Sequence, residues 1–341
     1  MSSQSHNNSV IICTNANINL GMSIAKHLQE RTKTGYAVIP IIEKQFADTS
    51  TNIELLESVR GKIVYVISTA SKFVNDNFMS TCLIVDACKN RSGAKAVNVI
   101  FATYPYARSD KRDHRGPIAG SVIATMLQSL GVDRVISCDI HAGQIQGFYQ
   151  IPFDNIYCKN ILACAVRDII AENPDDKFML CSPDAGGMKR IDAWSESLGI
   201  NNCFMYKQRD YTTLNKVASS KFIGDPEEVK GKYIIIVDDI ADTMGTMMAC
   251  VEELSKLDVL GVYIVVTHAY LNGRAIELIN GNDLIVKVIC TDSIPQEEHL
   301  KLTPKLQVVS MAPLLSEVIY RIQAAYDAIP GQEISLSKLF D

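Results

Sequence analysis

Short apolar runs recur along the chain, at Val10 to Cys13, Ile63 to Ile67, Val97 to Phe101, Arg134 to Cys138, Phe178 to Cys181, Tyr233 to Val237 and Val262 to Thr267. Helix-like stretches separate them. Strands buried on both faces read as continuous apolar runs rather than alternating ones, so this interleaving predicts an α/β fold with largely parallel sheets covered on both sides. Met247 to Leu257 reads as a helix, because Met248, Val251 and Leu254 recur at three-residue steps while Glu252, Glu253 and Lys256 can face water. Asn173 to Asp176 is a polar breaker before a new strand. Asp210 to Glu228 is polar and poor in apolar periodicity, and reads as a loop or lid flank rather than core.

The two halves of the chain echo each other faintly. Arg60-Gly61-Lys62 before one apolar strand recurs as Lys230-Gly231-Lys232 before another, and two strands end in acids, at Cys138-Asp139 and Val237-Asp238-Asp239. Two similar α/β domains, roughly Val10 to Lys159 and Asn160 to Ser310, account for the echo; chance similarity of short fragments also does. The boundaries taken are 8–159, 160–310 and a C-terminal helix and tail over 311–341 that packs back on the first domain. A length of 341 residues agrees with about two domains.

Composition narrows the class. With 47% hydrophobic and 21% charged residues the chain has ample core, which disfavours disorder. The net charge of −5 lacks the Lys and Arg surplus of a nucleic-acid scaffold. Ten cysteines scattered from Cys13 to Cys290 with no C-x-x-C pair fit a reduced, cytoplasmic protein better than a disulfide framework. The polar start MSSQSHNNSV does not read as a signal peptide, and no run approaches the roughly 18 apolar residues of a membrane span, so neither nucleic acid nor membrane is expected as a partner.

Two nucleotide signatures are excluded. No two of the 19 glycines are separated by one residue, so there is no G-x-G-x-x-G, and neither Gly-Lys pair follows its strand in a Walker loop. The sharpest signal is Tyr233 to Thr246, an apolar strand, an acidic pair, a loop of small residues and a helix start. Thr243 and Thr246 offer hydroxyl donors, Gly245 lets the backbone close on an anion, and a helix start supplies unpaired N–H groups and a favourable dipole. Asp238 and Asp239 can accept from vicinal sugar hydroxyls or hold Mg²⁺-bound water. An ordinary capped turn would need fewer acids and threonines.

This segment matches the D-D-x-x-D-T-x-G-T loop that binds 5-phosphoribosyl groups. Neighbouring stretches occur in family order: Glu57 to Gly61, Val74 to Asn77, Tyr104 to Arg108, Asp139 to Phe148, Ser182 to Gly187 and Val308 to Leu315. On these the chain resembles the ribose-phosphate pyrophosphokinase family over almost its whole length. The resemblance implies two phosphoribosyltransferase-like domains, each a mostly parallel sheet flanked by helices. It also implies transfer of the β,γ-pyrophosphoryl group of Mg·ATP to the C1 hydroxyl of ribose 5-phosphate, with Mg²⁺ as cofactor and a homo-hexamer built from dimers.

Residue by residue, the resemblance assigns Lys207 and Arg209 to the transferring phosphoryl as catalytic groups. It places Phe46, Asp48, Arg108, Ser109, Asp113 and His141 around ATP, Phe46 and Asp48 reaching a neighbouring subunit's site. Asp238, Asp239, Asp242, Thr243, Met244, Gly245 and Thr246 take ribose 5-phosphate, and His141 and Asp184 serve Mg²⁺. Three features depart from the family pattern: Ser50 stands where a Glu is usual, Ser109 where a Gln is usual, and the stretch from Arg108 to Pro117 is one residue shorter. Gly143 replaces a polar residue of phosphate-regulated members, so control by phosphate and ADP does not follow. Besides an active synthetase, two readings remain: a catalytically weak, synthetase-associated regulatory subunit, motivated by Ser50 and Ser109, and a phosphoribosyltransferase, which would not need Lys207, Arg209 or His141.

Overall fold

The computed structural model describes residues 8–33, 35–209 and 217–327, with the side chains of residues 207–209 and 217–219 outside that description. Its chain divides into two compact units. One runs to Cys158 and takes back Ser293–Pro295 and the chain from Ser310; the other comprises Lys159–Asp292 and Gln296–Val309.

The first unit contains β1 (Ser9–Cys13), α1 (Ile18–Thr32), β2 (Ala37–Val38), β3 (Ile41–Gln45), β4 (Thr51–Leu55), β5 (Ile63–Ser68), α2 (Val74–Asp86), β6 (Ala96–Phe101), α3 (Ala119–Ser129), β7 (Arg134–Cys138) and β8 (Phe153–Ile156). Its sheet is parallel in the order β2-β1-β5-β6-β7-β8, and β3 and β4 form a separate antiparallel hairpin. The second unit contains α4 (Lys159–Glu172), β9 (Phe178–Ser182), α5 (Met188–Leu198), β10 (Asn202–Arg209), β11 (Val217–Ile223), α6 (Pro226–Val229), β12 (Tyr233–Ala241), α7 (Gly245–Leu254), β13 (Gly261–Ala269), α8 (Ala275–Asn280), β14 (Ile285–Thr291), α9 (Glu297–Leu302) and β15 (Leu306–Val309). The sheet order is β11-β10-β9-β12-β13-β14-β15, parallel except for the edge pair β10/β11. The expected α/β class with mostly parallel, helix-flanked sheets is therefore what the chain adopts, and all seven apolar runs are strands. β5, β6 and β13 are buried at every position, as strands covered on both faces must be.

The reading of Asp210 to Glu228 needs correction. Residues 210–216 lie outside the described residues, but Val217–Ile223 is a strand antiparallel to β10, and Pro226–Val229 is a short helix capped by the Asp225 carboxylate. An edge strand keeps one side in solvent, so its Ser and Lys residues hid it. The predicted helix over Met247 to Leu257 begins earlier, at Gly245, and its last turn, Ser255–Leu257, tightens to 3₁₀.

The Gly-Lys echo is a shared turn. Lys62 N–H donates to Val59 O at 3.0 Å and Lys232 N–H to Val229 O at 3.2 Å, around Gly61 at φ 70° and Gly231 at φ 65°. Both glycines occupy the left-handed region that other residues reach at a cost.

After β15 the chain forms α10 (Ala312–Asp327), which packs on α1 within the first unit. Leu315, Val318, Ile319 and Ile322 are buried there, the Gln323 amide oxygen accepts from the hydroxyls of Ser9 and Tyr65, and Arg31 pairs with Glu317 at 2.6 Å. All ten cysteines are free thiols, and only Cys164 is exposed. Among the described residues no helix is long and apolar enough to cross a membrane.

Candidate functional site

In the second unit β9 leads through α5 to β10 on one side, while β12 leads through α7 to β13 on the other. Their outgoing loops diverge and leave a crevice at the carboxyl ends of β9 and β12, the position where open α/β sheets bind ligands. Asp184 lies on one wall and Asp238 to Thr246 on the other.

The first wall is a tight turn. Asp184 Oδ1 accepts from the N–H groups of Gly186 (2.9 Å) and Gly187 (3.2 Å), and the Ser182 hydroxyl donates to Asp184 O at 2.8 Å. A Cβ on Gly187 would stand 2.3 Å from Ser182 Oγ, so a side chain there would have to push that hydroxyl off Asp184 O. From α5, Arg190 reaches back to the opposite wall: Nη1 lies 2.6 Å from Asp238 Oδ1 and Nη2 3.4 Å from Asp239 Oδ1.

On that wall Asp239 is buried and Asp238 nearly so. Burial, then the adjacent Asp239 charge, pushes the Asp238 carboxyl up to about 7, with Arg190 pulling the other way. Asp242 Oδ1 accepts from Asn272 Nδ2 at 2.9 Å, and Asn272 N–H donates to Asp242 O at 3.0 Å, so the loop is tied to the segment after β13. Met244 precedes α7 at φ 65° with its side chain buried, and no side chain caps the helix there. A non-glycine in that conformation costs roughly 1–3 kcal/mol and persists where the surroundings hold it, most often at functional sites. Thr243 and Gly245 are exposed and Thr246 is half-buried.

Lys207 and Arg209 lie on β10 beside β9, and their backbones pair with Ser220 and Val217 of β11; their side chains lie outside the described residues. Sequence reasoning missed Arg190 and Asn272. Neither is in the loop motif, and each is brought to it by tertiary structure alone.

In the first unit Arg108 follows β6 and His141 follows β7, neighbouring strands, and both side chains are exposed. Gln144 donates to Asp110, tying the two loops together. Asp139, two residues before His141, sits at φ 35°, and its carboxylate accepts from Cys158 N–H at 3.1 Å, which anchors the start of the His141 loop. Ser109 is engaged structurally: its hydroxyl accepts from Ala119 N–H at 3.2 Å and its carbonyl from Gly120 N–H at 2.9 Å, at the start of α3. Asp113 is exposed, and its carbonyl accepts from Gly116 N–H.

Phe46 and Asp48 occupy the β3–β4 hairpin turn, whose strand β4 packs on α2, rather than the β6 and β7 ends. Ser50, where the family has Glu, donates its hydroxyl (2.6 Å) and N–H (3.0 Å) to Asp48 Oδ1. These bonds hold the Asp48 carboxyl below the usual carboxylate range. Phe46 is 54% exposed.

Among the described residues no group of three or more His, Cys, Asp and Glu could hold a metal by protein ligands alone. The donors present are hard oxygens and one imidazole, and Mg²⁺ typically takes one or two carboxylates together with waters and substrate phosphates. The residues therefore fit Mg²⁺ that arrives with a phosphate ligand.

Residues 9–131 match the N-terminal domain of ribose phosphate pyrophosphokinase, and residues 215–329 the phosphoribosyl synthetase-associated domain. The crystal structure of phosphoribosylpyrophosphate synthetase from Mycobacterium smegmatis superposes with a TM-score of 0.82 at 31% identity, covering 94% of this chain and 99% of that one. A hypoxanthine phosphoribosyltransferase from Staphylococcus aureus also matches, with a TM-score of 0.28 at 16% identity over 33% of this chain and 62% of that one. The synthetase match, spanning both units, shows that the chain belongs to the ribose phosphate pyrophosphokinase family.

Proposed function

We propose that this protein is an active ribose-phosphate diphosphokinase that makes 5-phosphoribosyl 1-pyrophosphate and AMP from ATP and D-ribose 5-phosphate. The observation that carries this reading is the crevice at the ends of β9 and β12. It offers a buried acidic pair for sugar hydroxyls beside an uncapped helix start for the 5-phosphate. In the reaction the C1 oxygen forms a bond to the β-phosphorus, the bond from that phosphorus to the α-phosphate oxygen breaks, and the C1 hydroxyl proton leaves.

Asp238 and Asp239 accept from the vicinal hydroxyls, and Thr243, Met244, Gly245 and Thr246 surround the 5-phosphate. Asp242 keeps the loop in shape through Asn272. Lys207 and Arg209 neutralise charge on the transferring group, which is where phosphoryl transfer needs help most. Arg108, Ser109, Asp113 and His141 belong to the nucleotide, with Phe46 and Asp48 serving adenine in a neighbouring copy of a homo-hexamer built from dimers. Mg²⁺ bound with the nucleotide at His141, and a second Mg²⁺ near the sugar at Asp184, would supply charge neutralisation at the phosphates. The product would feed purine, pyrimidine, NAD and histidine- or tryptophan-type synthesis in the cytoplasm.

A second reading, a regulatory subunit with weak turnover, is favoured by one observation: Ser50 and Ser109 are both committed to local hydrogen bonds. One assay decides. Purified protein with ribose 5-phosphate, Mg²⁺ and ATP is expected to release AMP in step with 5-phosphoribosyl 1-pyrophosphate, and AMP no higher than in an enzyme-free control would sink the catalytic reading.

A further expected result concerns loop shape. Asp242→Ala removes the Asn272 tether and should raise the KM for ribose 5-phosphate about tenfold, in keeping with one lost hydrogen bond to a charged group, while the KM for ATP stays put. An unchanged ribose 5-phosphate KM would remove Asp242 from this role.

A further inference from the structure

Arg190 has no place in the loop motif, yet its guanidinium touches both acids at the end of β12. Its guanidinium starts one turn into α5, passes over the Gly186–Gly187 turn, where a Cβ on Gly187 would lie 4.0 Å from Nη1, and contacts Asp238 Oδ1 at 2.6 Å and Asp239 Oδ1 at 3.4 Å. Asp238 Oδ1 also accepts from Asp239 N–H at 2.9 Å, which turns that carboxylate along the strand toward its neighbour.

We propose that Arg190 is a positioning residue that holds Asp238 and Asp239 side by side as a charged acceptor pair for the vicinal diol of the sugar phosphate, and so sets the acid limit of sugar binding. This rests on reading the loop as the ribose 5-phosphate site. Two adjacent buried carboxylates repel, and without a neighbouring cation one of them takes up a proton. A guanidinium stays charged at every working pH and presents a planar fork that spans two acceptors, which a lysine ammonium does less well. Among the described residues, Asp239 on its own strand and Arg190 on α5 are the charged groups that bear most on Asp238. On β13, apolar Val266 stands opposite Asp238, and His268 stands opposite Ile240. Removing Arg190 therefore takes a counter-charge away from the pair, and the proton equilibrium moves up.

The test is calorimetric titration of ribose 5-phosphate into the full-length wild type, Arg190→Met and Arg190→Lys from about pH 6 to 9, with steady-state kinetics alongside. The ligand's own phosphate titrates equally in all three, so only differences between proteins are read. Arg190→Met should weaken binding about tenfold or more near pH 6.5 and less than about threefold near pH 9, moving the acid limb up by about one pH unit, while kcat at saturation changes little. Arg190→Lys should recover most of the shift. A loss that is the same at every pH, or an acid limb left where the wild type has it, overturns the proposal and assigns Arg190 to holding α5 in place. If Arg190→Met does not fold, the limb of Arg190→Gln is judged by the same criterion. Wild type that binds ribose 5-phosphate but makes no AMP overturns the catalytic reading and leaves this inference supported by the calorimetry; wild type that does not bind it overturns both.

Discussion

Replacing Lys207 with alanine is expected to lower kcat by about 10³-fold while the KM values for ribose 5-phosphate and ATP stay within about threefold, because one charge aimed at a transferring phosphoryl group acts mainly in the transition state. The strand pairing keeps the substitution local. Lys207 lies in β10, where its backbone pairs with Ser220 of β11, so alanine can keep the backbone where it is. Single-turnover AMP formation separates chemistry from product release. A variant with near-normal kcat, at matched circular dichroism, would remove Lys207 from the mechanism.

The second large effect joins function to stability. Asp238→Asn is expected to weaken ribose 5-phosphate binding by about 10- to 100-fold, since hydrogen bonds to a charged acceptor are worth about 1.5–3 kcal/mol. The same change should raise the melting temperature above pH 7. In the fold the Asp238 carboxyl is pushed up to about 7 by burial and by Asp239, so the native state holds more protons than the unfolded state between the ordinary carboxylate value and about 7. Stability from this group falls as pH rises through that window, and the full penalty is present above it. Asparagine removes the charge and with it the penalty. Thermal melts at pH 5 and pH 8 check the sign: the gain should appear at pH 8 and shrink at pH 5. A variant that binds sugar phosphate normally would take Asp238 out of the site, and one whose melting temperature drops equally at both pH values would show that the carboxylate is a structural support.

The parts of this protein that could be read in advance are those whose environment is uniform. The strands that include Val64 to Ile67, Val97 to Phe101 and Val262 to Thr267 are buried on both faces, so composition alone marks them. β3 and β4 carry Glu43, Lys44 and Asn52 among half-exposed positions, and β10 and β11 mix apolar residues with Lys207, Ser219 and Lys221, so their local sequence does not distinguish strand from loop. The loop after β12 was legible because its chemistry lies in consecutive residues. The Arg190 contacts were not, because they join positions 48 residues apart through the packing of α5 against β12, and no local pattern encodes that packing. Ser109 carries a local role that its motif does not encode: its hydroxyl accepts from the Ala119 N–H at the first turn of α3.

The return of the chain to its first unit bears on how the protein is made. β1, α1 and β5 emerge early from the ribosome, yet the helix that covers Ser9 and Tyr65 and packs on α1 is α10, more than two hundred residues later. Until that helix is delivered, the nascent first unit carries an open apolar face and two hydroxyls without their glutamine, which is a natural binding surface for a chaperone and a hazard for polysomes crowded with copies of the same chain. Chains stopped by premature termination before Ala312 would keep that face open, and their fate in the cell would be degradation or aggregation rather than partial activity.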